Sequence, residues 1–103
     1  MKKKRNGKYK VSDRTIWYKD GVPHREDGPA IESSYSSEWY FNGKLHREDG
    51  PAIEFPFDKS KRWFIHGVEM TEVELNYWLE KKYLNEKLNI ALDPRSKEKT
   101  KKI

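Results

Sequence analysis

Residues 24–32 read His24-Arg25-Glu26-Asp27-Gly28-Pro29-Ala30-Ile31-Glu32, and residues 46–54 repeat the same nine in the same order. The match extends upstream, where Trp17-Tyr18-Lys19-Asp20-Gly21 aligns with Trp39-Tyr40-Phe41-Asn42-Gly43. The period is 22 residues, and twelve of sixteen aligned positions are identical. A third, partial copy begins at Trp63-Phe64-Ile65-His66-Gly67, displaced by 24 because the connection before it is two residues longer. After Gly67 the His-Arg-Glu-Asp segment is missing. Self-similarity at a fixed spacing marks a repeat architecture, in which one unit cannot bury its own face and needs neighbours and caps.

Each unit reads as β-structure. Ile16-Trp17-Tyr18, Trp39-Tyr40-Phe41 and Trp63-Phe64-Ile65 are short aromatic and β-branched runs, which favour strands. Each run ends in Asp20-Gly21, Asn42-Gly43 or His66-Gly67. Asp-Gly and Asn-Gly are preferred centres of type I′ hairpin turns, because both central positions need a positive φ. The chain returns through 22–24 or 44–46 and turns again at Arg-Glu-Asp-Gly-Pro. There Pro29 and Pro51 cannot donate to a ladder, and Gly28 and Gly50 suit the conformation before proline. Polar connections near 33–37 and 58–61 lead to the next Trp.

The C-terminal part predicts a helix over about 72–91. Thr71-Glu72-Val73-Glu74 is a capping-box pattern, and Asp93-Pro94 is a stop signal. On a helical wheel Val73, Tyr77, Leu84, Leu88 and Ala91 share one side, while Leu75, Leu79 and Tyr83 lie nearly opposite with Trp78 between. One stripe should pack on the hairpins. The Leu75, Trp78, Leu79 and Tyr83 stripe is the candidate interface for a partner or a second copy, since an exposed apolar stripe is unusual. The fold class is therefore α+β: a meander of antiparallel hairpin repeats closed by a C-terminal helix.

Composition agrees with one small domain. The 103 residues are 34% hydrophobic and 38% charged, a balance that leans toward disorder, but 14% are aromatic and four are Trp, enough to build a lean core. No Cys is present, which leaves no disulfide framework, thiolate metal site or Cys nucleophile. No apolar run is long enough to span a membrane, and the basic start Lys2-Lys3-Lys4-Arg5 lacks the apolar stretch of a signal peptide. The net charge of +5 is unevenly placed. Residues 1–10 carry six Lys/Arg and no acid, and 93–103 carry five Lys/Arg against Asp93 and Glu98. Residues 11–92 carry eleven bases and fifteen acids. The reading is a mildly acidic repeat domain over 11–92 between two basic tails, 1–10 and 93–103, that stay solvated and flexible. Nucleic-acid binding through those tails is one functional alternative.

The repeated loops are the candidate binding elements: His24, Arg25, Glu26 and Asp27 in one copy, His46, Arg47, Glu48 and Asp49 in the other. These are residue types for acid–base or metal chemistry. Scaffolding explains them better. Asp before Gly-Pro holds a turn through its own backbone, Arg and Glu pair across adjacent repeats, and His bonds a loop carbonyl. On that view Arg25→Ala costs little stability. A repeat reuses a structural solution in every copy, whereas catalysis needs one asymmetric set of roles. No phosphate loop, nucleophile elbow, zinc-protease or EF-hand pattern occurs. The expectation is a non-enzyme with no catalytic set, cofactor or metal; stacked His24 and His46 offer only an incomplete ligand set. Arg25 and Arg47 on one edge offer forks for a phosphate, which supports the further alternative of a sponge for a nucleotide messenger.

The pattern Trp-Tyr-x-(Asp/Asn)-Gly-x-x-His-Arg-Glu-Asp-Gly-Pro-Ala-Ile-Glu resembles a repeat of small proteins of tailed bacteriophages, and is similar in outline to MORN repeats. The third unit followed by Gly67-Val68-Glu69-Met70-Thr71-Glu72 and a helix resembles the ending of such phage proteins. The resemblance covers roughly residues 15–90. It implies a MORN-like hairpin fold and a phage origin. Small size, the missing catalytic set, the repeated charged loops and the spare apolar stripe add the expectation of a host protein as partner in the host cytoplasm, with no membrane involved. It carries no activity that transfers residue by residue. The expected function is a small accessory protein that binds a host macromolecule and inhibits an antiviral defence.

Overall fold

A computed structural model of the chain describes residues 3–92. In chain order the elements are β1 Gly7–Val11, β2 Arg14–Lys19, β3 Val22–Pro23, β4 Ile31–Glu32, β5 Ser37–Glu38, β6 Tyr40–Phe41, β7 Lys44–Leu45, β8 Ile53–Phe55, β9 Ser60–Ile65, β10 Val68–Met70 and α1 Glu72–Leu92. One sheet runs β1-β2-β4-β5-β8-β9-β10, with β3 bonded to β2, and β6 and β7 form their own hairpin. Every pairing is antiparallel. The chain is an α+β meander of hairpins with one C-terminal helix.

The turns follow from their residues. Asp20 and Gly21 have φ of 51° and 84°, Asn42 and Gly43 50° and 81°, His66 and Gly67 48° and 83°. Positive φ at both centres matches the right-handed twist of the flanking strands. Beyond each turn the two full copies repeat their backbone bonds. Trp17 N–H donates to the Ala30 carbonyl at 2.8 Å and Trp39 N–H to that of Ala52 at 2.7 Å. His24 and His46 N–H donate back to the carbonyls of Trp17 and Trp39 at 2.9 and 3.0 Å. Each Trp thus sits where its strand leaves one partner for another. The core is Ile16, Ala30, Ile31, Ala52, Ile53, Phe64, Ile65 and Leu75. Ala30 and Ala52 are fully buried, each carrying the carbonyl that receives the Trp17 or Trp39 N–H.

Two expectations are corrected. Residues 7–10, assigned to a flexible basic tail by charge, belong to β1, which pairs with β2 from Gly7↔Tyr18 to Val11↔Arg14. An edge strand uses backbone groups for pairing and tolerates outward Lys, so Lys8 and Lys10 do not oppose it. Residues 93–103, the C-terminal basic tail, lie outside the described residues. The helix faces are also reversed. Leu75 is 3% exposed, and Trp78 and Leu79 are half-buried, so this stripe packs toward the hairpins. Tyr83 of the same set is exposed. The free stripe is the other one, where Val73, Tyr77, Leu84 and Leu88 stand in solvent. From Tyr83 to Leu92 every residue is exposed, so the second half of α1 leaves the sheet behind.

The capping box forms as its sequence predicts. Glu74 N–H donates to Thr71 Oγ1 at 3.1 Å, and Thr71 N–H donates to the Glu74 carboxylate at 2.8 Å. No helix among the described residues is long and apolar enough to cross a membrane.

Candidate functional site

The two His-Arg-Glu-Asp loops lie side by side along one edge of the array, and their side chains make the same bonds twice. Arg25 Nη1 donates to the Pro29 carbonyl at 3.1 Å, and Arg47 Nη1 to that of Pro51 at 3.1 Å. Their Nε atoms donate to Asp27 and Asp49 at 3.1 and 2.8 Å. The guanidinium groups lie 3.8 and 3.9 Å from the ring centroids of Trp17 and Trp39. Such planar stacking suits Arg and not Lys. The second Arg contact is to Glu32 or Glu54 of the same unit, at 3.5 and 3.4 Å. The pairing is therefore within a repeat, not across repeats. Asp27 and Asp49 serve the Arg instead of their own turn.

Gly28 and Gly50 have a steric reason to be glycine. A Cβ there would meet Arg25 Cζ or Arg47 Cζ at 2.9 Å. Neither has a positive φ. The residue clears room for the guanidinium, and pre-proline conformation is secondary.

The histidines join one unit to the next. His24 Nδ1 accepts from Asn42 N–H at 2.9 Å, and His46 Nδ1 accepts from His66 N–H at 2.9 Å. Each imidazole is thus an acceptor for a backbone donor in the following turn, not a donor to a carbonyl. The carbonyls of Arg5, Pro23 and Leu45 accept from the N–H of Gly21, Gly43 and Gly67 at 2.9, 2.8 and 2.8 Å. At the head of the array Asn6 takes the histidine's role, its Oδ1 accepting from Asp20 N–H at 3.0 Å. Phe41 lies between the two imidazoles, 4.6 Å from His24 and 6.0 Å from His46, and His46 stacks on His66 at 4.2 Å.

The loops differ in what surrounds them. Lys82 of α1 reaches Glu48 with Nζ 2.8 and 2.9 Å from its carboxylate oxygens. That bond holds the Glu48 carboxyl below its ordinary range and the Lys82 ammonium above its own. Burial pushes the His46 imidazole below its ordinary value, and the neighbouring His66 adds to the effect. Glu26, the counterpart of Glu48, pairs among the described residues with His24 alone, at 3.5 Å.

Between the loops lies an open groove of about 290 Å³ lined by residues of both together with Trp39 and Phe41. The Arg and His groups around it are bonded to the fold. The groups facing outward are carboxylates: the side chains of Glu26, Asp27 and Asp49 are 75%, 88% and 79% exposed. A phosphate approaching Arg25 or Arg47 meets these first; a cationic surface meets matching charge. Among the described residues no three His, Asp or Glu side chains are grouped to hold a metal ion. The four helix residues Leu75, Trp78, Leu79 and Tyr83 take no part in the loop groove.

Three features escape the sequence reading. Lys82 joins the helix to the second loop, and nothing in the helical periodicity singles it out. Asn6 stands in for a histidine inside a run of Lys and Arg. Tyr35 and Phe57, 78% and 98% exposed, stand on the connecting loops and flank a second groove of about 450 Å³. Tyr35 alone among serines, and Phe57 just before the polar connection near 58–61, are the signals in the sequence. Comparison with family models, curated proteins and solved structures yields no match to the chain.

Proposed function

We propose that the protein is a small non-enzymatic bacteriophage accessory protein that binds a host protein in the host cytoplasm, with inhibition of an antiviral defence as the result. The phage setting rests on the resemblance of the repeat. The binding role rests on one observation: the repeated loops spend their Arg and His groups on the fold and turn their carboxylates outward along one edge. A row of fixed acids suits a basic patch on a protein partner, and recognition of that kind is steered by charge.

Affinity capture from infected-host lysate with mass spectrometry tests this. A variant with Glu26→Gln, Asp27→Asn and Asp49→Asn keeps acceptor oxygens for the arginines and removes three charges. The expected result is one host protein retained by the wild type, released as salt is raised, and lost in the variant. Wild-type capture no better than a blank resin, or equal capture by the variant, overturns the reading. So does recovery of a nucleotide in place of a protein.

A further inference from the structure

We infer that the exposed stripe of α1 is a self-association face, on which a second copy of this chain lays its own helix antiparallel. The inference concerns a different surface from the loop edge and does not depend on the function proposed above.

Tyr77, Leu84, Leu88 and Ala91 fall within a sector of roughly 60° on the helix. All four are exposed. Beside this stripe, between α1 and β10, lies a groove of about 520 Å³ lined by Val68, Met70, Val73, Tyr77 and Trp78. This is the end of the array. Units one and two each have another unit docked on their returning strand, and among the described residues the third does not. The apolar surface left there continues along the free half of the helix.

The charges on the stripe's borders specify the occupant. A two-fold axis between residues 83 and 84 sets Leu84 against Leu84 of the partner subunit and Tyr77 between the partner's Leu88 and the partner's Ala91. The partner's Leu88 and the partner's Leu92 then lie over the apolar groove. In two-fold antiparallel pairs, residues on one border meet residues on the same border of the other helix. Glu80 and Lys87 share a border and stand equally far from the axis, so Glu80 faces the partner's Lys87 and the contact occurs twice. Lys81, on the other border, faces the partner's Asn85. A neighbouring antiparallel register lacks this match: an axis between residues 80 and 81 sets Glu80 against Glu80 and Lys81 against Lys81. The register through 83 and 84 sets opposite charges against each other on its border. A single helix pair is a small interface, so the dimer is weak and dependent on concentration.

Sedimentation equilibrium of the full chain over a range of concentrations tests the proposal. The wild type is expected to pass from monomer to dimer in the micromolar range. Leu84→Asp, at an exposed position, should leave the far-UV spectrum unchanged and the chain monomeric. Glu80→Lys and Lys87→Glu should each weaken the dimer by up to about tenfold, and the double variant should return to within about twofold of the wild type. A wild type that stays monomeric to about 1 mM overturns the proposal. A dimer indifferent to Leu84→Asp also overturns it. So does a double variant no stronger than either single one, because the register then differs from the one argued here.

Discussion

The loops at 24–32 and 46–54 share nine residues and nearly every internal bond, yet they live in different surroundings. The first faces solvent beyond Asp27, and its His24 meets the turn at Asn42. The second is wedged between the third hairpin and α1: His46 stacks on His66, and Glu48 is held by Lys82. Identical sequence thus gives identical geometry within the loop and different electrostatics at its border. What a repeat does by itself and what its neighbour does to it can be separated by treating the two copies alike.

The largest effect should also be the most symmetric. Gly28→Val and Gly50→Val each drive a side chain into a guanidinium already fixed against Trp and a Pro carbonyl. Each should cost about 2–3 kcal/mol, seen as parallel losses in denaturant midpoint. A wild-type midpoint for either removes the packing explanation. Next come Arg25→Ala and Arg47→Ala, at about 1–3 kcal/mol each, because a ring contact and a bond to a half-buried carbonyl are both lost. This reverses the sequence expectation that Arg25→Ala costs little. Arg→Lys at the same sites should recover less than half of the loss, since an ammonium has no planar fork to stack. Full rescue by Lys would show that charge alone matters.

Acidification should then part the copies. His46 is held below 6.5 in the folded chain, so the unfolded chain takes up its proton first as pH falls. The stabilisation from neutral His46 is complete above about pH 6.5 and is lost as pH drops through the folded value. Glu48 adds a second decline that begins near pH 4.5, where the unfolded chain's carboxylate takes up its proton, and runs down through the lower folded value. His46→Asn keeps an acceptor for His66 N–H, as Asn6 does for Asp20, and cannot titrate. Thermal melts from pH 7 to 5 should therefore be flatter for His46→Asn than for the wild type; equal slopes would acquit His46. The smallest effect separates Glu48 from Glu26. Glu48→Gln should cost about 0.5 kcal/mol, since the Lys82 pair is partly exposed and screened, while Glu26→Gln should leave the midpoint unchanged.

The turns, the period and the helix start are legible in the chain because each rests on local chemistry. Asn42-Gly43 needs positive φ at both positions whatever surrounds it, and Thr71 with Glu74 closes a box by itself. Other features depend on distant partners. β1 is hidden because Lys8 and Lys10 read as a solvated tail, and only the pairing offered by β2 makes them a strand. The inward arginines are hidden because charge suggests surface, whereas the Trp rings and Pro carbonyls give Arg25 and Arg47 a better place beneath it. The helix has two apolar stripes of similar strength. The wheel alone does not rank them; the hairpins select Leu75, Trp78 and Leu79.

The seam between units is drawn from backbone donors on one side and a carbonyl with an imidazole on the other, and it is the same seam both times. A gene that gained another 22-residue block would therefore encode a longer ladder whose new rung already fits above and below. Length in such a protein is a matter of recombination rather than redesign. Only the two end pieces, the asparagine-bearing lead-in and the threonine-capped helix, have to be inherited once.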